Sequence, residues 1–122
     1  MSTTDTAHPQ AQEAKVSGIR IAYFLFGGIF AWMAHLIGQS ALTGRVCATG
    51  ELWSMHAITA VTLLFTFHAL FLAWRTGRAE PVSANVDAAR MLGWAGVVIN
   101  VFNVVAIVAE WVPVLFIDPC AG

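Results

Sequence analysis

Few side chains in this sequence combine reactive chemistry with an apolar setting. His35, Gln39, His56, His68 and Glu110 lie inside long apolar runs, and Cys47 and Cys120 stand just beyond two of those runs. A carboxyl group in hydrocarbon is costly unless it meets a donor or keeps its proton, so Glu110 is the most informative of the set. Counted inward at about 1.5 Å per residue, Glu110 lies about 7 to 10 Å deep, His35 about 10 Å and His56 about 5 Å. Three ionisable groups from three runs therefore share one layer. Gln39 is one helical turn from His35, and Glu51 stands at the mouth of the layer. The expected intramembrane polar cluster is His35, Gln39, His56 and Glu110. It can serve as a hydrogen-bonded structural network, a proton or quinone site, or a metal site. Because two imidazoles stand at one depth, it can also ligate a b-type haem through His35 and His56. The structural network satisfies the burial cost with the fewest assumptions. Nothing in the spacing demands a cofactor, and haem b is the one that the histidine pair leaves open.

His68 lies 12 positions beyond His56, about 18 Å deeper and about 120° round the helix, so it belongs to a separate site with Asn100 or Tyr23 as partner. Thr59, Thr62 and Thr66 form a stripe whose hydroxyls can bond back to carbonyls of their own helix. No HExxH, GxSxG, phosphate-binding loop or dinucleotide glycine pattern occurs, and no nucleophile has a base beside it. A non-enzymatic role is the expectation.

The elements that must carry these residues follow from composition. Of 122 residues, 58% are hydrophobic and only 11% charged, with mean hydropathy +0.72. Soluble domains carry about a quarter charged residues. Six basic against seven acidic residues leave no field able to neutralise a phosphate backbone, so nucleic acid is not an expected partner. Residues 21–42, 52–74 and 91–117 are each long enough to cross a hydrocarbon core of about 30 Å. Trp53 and Trp74 bracket the second run; Trp94 and Trp111 flank the third, which Pro113 is expected to break late. The fold class is thus all-α, an integral membrane bundle of three transmembrane helices over residues 19–122, preceded by a flexible polar tail over 1–18. The tail has helical character only near Ala11 to Lys15, and His8 within it is solvated.

Lys15, Arg20, Arg75, Arg78 and Arg90 fall on one side of that topology and Arg45 alone on the other, which places the N-terminus in the cytoplasm and the C-terminus outside. The segment 44–51 and the tail from Asp118 then face outward, and the segment 75–90 inward. Cys47 and Cys120 share the oxidising side, so a disulfide is the natural reading, with free thiols or a pair of copper ligands as the alternatives. In the first run Gly27, Ala31, Ala34, Gly38 and Ala41 stay within about 40° of one helical line, a small-residue stripe expected to mark a helix contact. In the third, Gly93, Gly96, Asn100, Asn103 and Glu110 share a face that must point away from lipid.

The stretches FAWMAHLIGQSAL with Cys47 behind it, ELWSMHAITAVTLL and WVPVLFIDPC, matching at Trp32, His35, Cys47, His56, Pro119 and Cys120, resemble a group of small three-span bacterial membrane proteins encoded near haem-copper cytochrome oxidase genes. The resemblance spans residues 20–120. It implies a multi-pass protein of the bacterial inner membrane that serves as a non-catalytic accessory or assembly subunit, with other membrane subunits and the lipid bilayer as partners. The rival expectation is a haem b- or quinone-binding anchor subunit in electron transfer. Anchor subunits of succinate dehydrogenase are similar in size, but their histidine-arginine and serine signatures do not occur around His35, His56 or His68.

Overall fold

The computed structural model describes the backbone of residues 4–78 and 84–121 and the side chains of residues 18–78 and 88–121. Three helices follow in order: α1 (Thr4–Thr49), α2 (Trp53–Gly77) and α3 (Ala84–Phe116). No strand occurs among the described residues. Within them Gly18–Thr49, Trp53–Gly77 and Ala88–Phe116 are long and apolar enough to cross a membrane. Hydrocarbon supplies no partner for backbone N–H and C=O groups, so a chain this apolar closes its backbone bonds within helices.

The helices outrun the apolar windows. Backbone from Thr4 onward is already helical and continuous with the first span, where a tail over 1–18 was expected. Once the span has supplied a helical nucleus, each added residue gains a hydrogen bond without a new nucleation cost, and Ala, Gln, Glu and Lys are good helix formers. At the other end α1 continues to Thr49, so the expected loop over 44–51 shrinks to the turn around Gly50. Gly50 takes φ +77°, and its N–H reaches the Val46 carbonyl at 2.7 Å. This left-handed cap ends α1, and glycine adopts it without the Cβ penalty. Pro113 does not break α3, which runs on to Phe116; the Ile117 N–H returns to the Pro113 carbonyl at 2.7 Å. Proline removes only one rung of the ladder, and one missing bond near a helix end is cheaper than several open carbonyls in hydrocarbon.

α1 and α3 run parallel to each other and antiparallel to α2, and each helix touches both others. The centre near the loop end is made by small residues. Phe24, Ala69 and Ala73 form a fully buried cluster, and Gly96 lies so close to Phe24 and Ala73 that a Cβ there would come within 3.0 Å of both. Gly93 meets α2 backbone to backbone: a Cβ on it would stand 2.9 Å from the Ala73 carbonyl oxygen and 2.9 Å from the Gly77 Cα. Without a hydrophobic gain between helices in lipid, such close approach is what makes them associate. The α3 face bearing Gly93, Gly96, Asn100 and Asn103 is buried in the bundle.

The small-residue line of α1 divides. Ala31 is buried, Gly27 lies against Tyr23 and Ala69, and Gly38 lies against Ile58; Ala34 and Ala41 are exposed. The inward line of α1 is Phe24, Gly28, Ala31 and His35, turned slightly from the small-residue line. Two partners set that line. A helix wedged between α2 and α3 needs space for both, and its polar residues must face inward as well.

At the opposite end Cys47 and Cys120 are joined, with Cα atoms 5.4 Å apart across 73 residues of chain. The bond ties the end of α1 to the segment after α3. By the chain-entropy model a loop of this length contributes about 4 kcal/mol.

Candidate functional site

The polar residues near the disulfide end assemble into one network. Positions 32, 35 and 39 of α1 are separated by three and four residues and so share a face. That face turns Trp32 and His35 toward Glu110 of α3, and His35 and Gln39 toward Met55 and Thr59 of α2. Trp32 Nε1–H donates to Glu110 Oε1 at 2.7 Å, and His35 Nδ1 lies 3.0 Å from Glu110 Oε2. His35 Nε2 lies 3.0 Å from Thr59 Oγ1, and Gln39 Nε2 lies 3.3 Å from His35 Nε2. Gln39 Nε2 also donates to the Met55 carbonyl and to Thr59 Oγ1, each at 3.1 Å. The Thr59 hydroxyl donates back to the Met55 carbonyl at 2.9 Å.

These bonds constrain the protons. Because Thr59 donates to Met55, its oxygen is free to accept, and His35 Nε2–H is the natural donor. His35 Nδ1 then either accepts from a protonated Glu110 or, as an imidazolium, donates to the carboxylate. In both arrangements one proton lies between Glu110 and His35, and every ring nitrogen and carboxyl oxygen has a partner, whereas Gln39 Oε1 is buried without one among the described residues. His35 is 0% exposed, whereas the Glu110 side chain is 29% exposed. Such a network can hold three helices in register and share a proton.

His56 stands apart from this cluster. Trp111 Nε1–H donates to His56 Nδ1 at 2.9 Å with the rings edge to face, a separate α2–α3 clasp. His56 has no hydrogen bond to His35, Gln39 or Glu110 among the described residues. Ligation of one haem iron by His35 and His56 needs a lone pair from each ring aimed at a common centre. Both nitrogens of His35 are already engaged, and His56 Nδ1 accepts from the Trp111 indole, which puts the hydrogen of a neutral His56 ring on Nε2; in this arrangement neither ring aims a lone pair at a common centre, so the pair does not fit a bis-histidine haem site.

Sequence reasoning placed His35, Gln39 and Glu110 together and missed the parts that Trp32 and Thr59 play. Trp32 has a usable signal, since it precedes His35 by three positions and therefore faces the same neighbour. Thr59 bonds back to its own helix as the stripe implied, as do Thr62 and Thr66. Only the approach of α1 makes the Thr59 oxygen an acceptor across helices as well.

A second polar layer lies deeper. Asn100 Nδ2 donates to the Phe24 carbonyl at 2.6 Å and to the Gly96 carbonyl at 2.8 Å. Asn100 Oδ1 and Asn103 Nδ2 are buried beside Gly28, each without a partner among the described residues. The Tyr23 hydroxyl and His68 Nδ1 lie 2.9 Å apart on the seam between α1 and α2. Comparison of the chain with family models, curated proteins and solved structures finds no match.

Proposed function

We propose that this chain is a non-catalytic accessory or assembly subunit of a larger respiratory complex in the bacterial inner membrane, a haem-copper cytochrome oxidase by its resemblance. The observation that supports this reading is the pairing of His35 with Glu110 among the described residues, in which Trp32 takes the second carboxyl oxygen and Thr59 the second ring nitrogen. Groups spent on one another in this way brace a scaffold, whereas a catalytic site leaves groups free for a substrate. Size supports it too. Three helices bury little of their own surface, and Phe30, Leu64, Phe102 and Phe116 are each at least two-thirds exposed to lipid or to other membrane chains.

The reading places the N-terminus in the cytoplasm and the Cys47–Cys120 bond on the oxidising side, supported by the five-to-one division of basic residues. A reporter fused after Gly122 is expected to signal outside and one inserted at Ser83 inside. Mass spectrometry of unreduced protein is expected to recover a linked Cys47 and Cys120 peptide pair. Freely alkylated thiols in membranes, or the opposite reporter pattern, would reverse the assignment.

Tagged protein drawn from its native membrane in mild detergent tests the function itself. Oxidase subunits are expected to co-purify, and the isolated chain is expected to show no Soret band. A stoichiometric, reducible b-type spectrum lost in both His35→Ala and His56→Ala would replace this reading with the electron-transfer anchor.

A further inference from the structure

Tyr23 and His68 take no part in the network around Glu110, and their position carries a hydrogen-bonding deficit. His68 lies six residues from Trp74 and fifteen from Trp53, so it sits about 9 Å inside one aromatic boundary and about 22 Å from the other. Its side chain is exposed on the outer seam of the bundle rather than buried in it. Nδ1 is matched to the Tyr23 hydroxyl at 2.9 Å, and Nε2 has no partner among the described residues. If the phenol donates to Nδ1, Nε2 carries a hydrogen that faces hydrocarbon. If Nδ1 donates to the phenol instead, both the Tyr23 hydroxyl hydrogen and the Nε2 lone pair go unmet. The first arrangement leaves the smaller deficit, one N–H donor in lipid, and such a donor costs several kcal/mol until an acceptor arrives.

The surroundings select among acceptors. Helix partners in bilayers meet on small residues, yet the exposed apolar side chains one turn from the pair are Ile19, Phe26, Leu64, Phe65 and Phe71, all bulky, and the exposed Arg20 beside them offers donors and no acceptor. Phospholipid ester carbonyls lie near the tryptophan boundary, about 9 Å away from His68. A small ring compound dissolved in the hydrocarbon reaches that depth. Gly27 lies below, where a Cβ would stand in ordinary contact with Tyr23 at 3.7 Å and Ala69 at 4.0 Å. Phe26 at 55% and Phe71 at 50% exposure flank the pair from α1 and α2; the Arg75 guanidinium lies 5.8 Å over the Phe71 ring, which leaves the Phe26 ring to stack on a planar ligand.

We propose that Tyr23 and His68 form a binding site for a lipid-soluble ring carbonyl compound of the quinone class. His68 Nε2–H donates to the ligand carbonyl, and Tyr23 fixes the tautomer that makes this possible. The site stands whether or not the chain is an oxidase subunit, because it uses none of the residues that brace the three helices.

The test uses full-length protein with ¹⁵N-labelled histidine in nanodiscs of ether-linked lipids, which carry no ester carbonyl. The His68 resonances are assigned by their loss in His68→Asn. Titration with decyl-benzoquinone is expected to shift the His68 Nε2 signal saturably while His35 and His56 stay in place. Tyr23→Phe removes the tautomer lock and is expected to weaken that binding about tenfold, the equivalent of one hydrogen bond. No saturable shift at His68 would overturn the site. So would equal binding in His68→Asn, measured by equilibrium dialysis of the quinone. A His68 signal that moves between ester-linked and ether-linked lipids without the probe would assign the acceptor to phospholipid and overturn it as well.

Discussion

Glu110→Ala is expected to lower the stability of the bundle in detergent by about 2 to 4 kcal/mol, while Glu110→Gln costs about 1 kcal/mol or less. The alanine variant leaves two groups without their partner at once, the Trp32 indole N–H and His35 Nδ1, and opens a gap between α1 and α3. Interhelical hydrogen bonds in bilayers average only about 0.6 kcal/mol, because the separated helices find other partners. Two bonds at that value amount to about 1 kcal/mol, so the larger figure comes from leaving polar groups unmet at a side chain, His35, that is 0% exposed. Glutamine keeps the shape and both contacts. Its carbonyl accepts from Trp32, its amide donates to His35 Nδ1, and His35 Nε2–H still reaches Thr59. Reversible unfolding in mixed micelles checks the ranking, and equal losses in the two variants would show that shape rather than hydrogen bonding holds the layer. Assembly yield and respiratory activity, read on the same variants, address the function. Normal assembly with lost activity in Glu110→Gln would mean that the carboxyl moves a proton, and the purely bracing role would fall.

Gly93→Ala is expected to cost about 2 to 3 kcal/mol and to loosen the loop end of the bundle, though it adds a single methyl group. The new Cβ meets backbone atoms of α2, with Gly77 N nearest and the Ala73 oxygen and Gly77 Cα each at 2.9 Å. Backbone cannot turn aside as a side chain can. α2 and α3 must therefore separate, and overpacking of this kind costs about 1 to 3 kcal/mol, here at the upper end. Alanine favours helix over glycine by about 1 kcal/mol in water, but separated helices in a membrane mimic are already helical, so this gain offsets little. Gly44→Ala is the control: nothing lies within 4 Å of its Cβ position, and the substitution is expected to be neutral or slightly stabilising. Equal behaviour of the two variants would contradict the close α2–α3 approach.

The sequence by itself determines that this chain forms three membrane-crossing helices. Long apolar runs have no other way to satisfy their backbone in lipid, and the helices over Gly18–Thr49, Trp53–Gly77 and Ala88–Phe116 contain or closely match those runs. Hydropathy does not set the ends. Thr4 begins α1 and Gly50 ends it, because helix propagation and a left-handed cap act locally whether the residues are apolar or not. Counting residues inward likewise put His35, His56 and Glu110 in one layer, with Gln39 one turn from His35, since depth along a helix is a linear function of position.

Azimuth is what only the tertiary structure decides. His56 shares the depth of His35 but turns to Trp111, and Ala34 and Ala41 share a line with Ala31 but face outward. The rotation of each helix about its axis is chosen jointly by both of its neighbours: α1 has to fit Gly38 against Ile58 of α2 and at the same time place Trp32 and His35 on Glu110 of α3. A single sequence stripe encodes one face, and a helix packed against two partners needs a compromise between two.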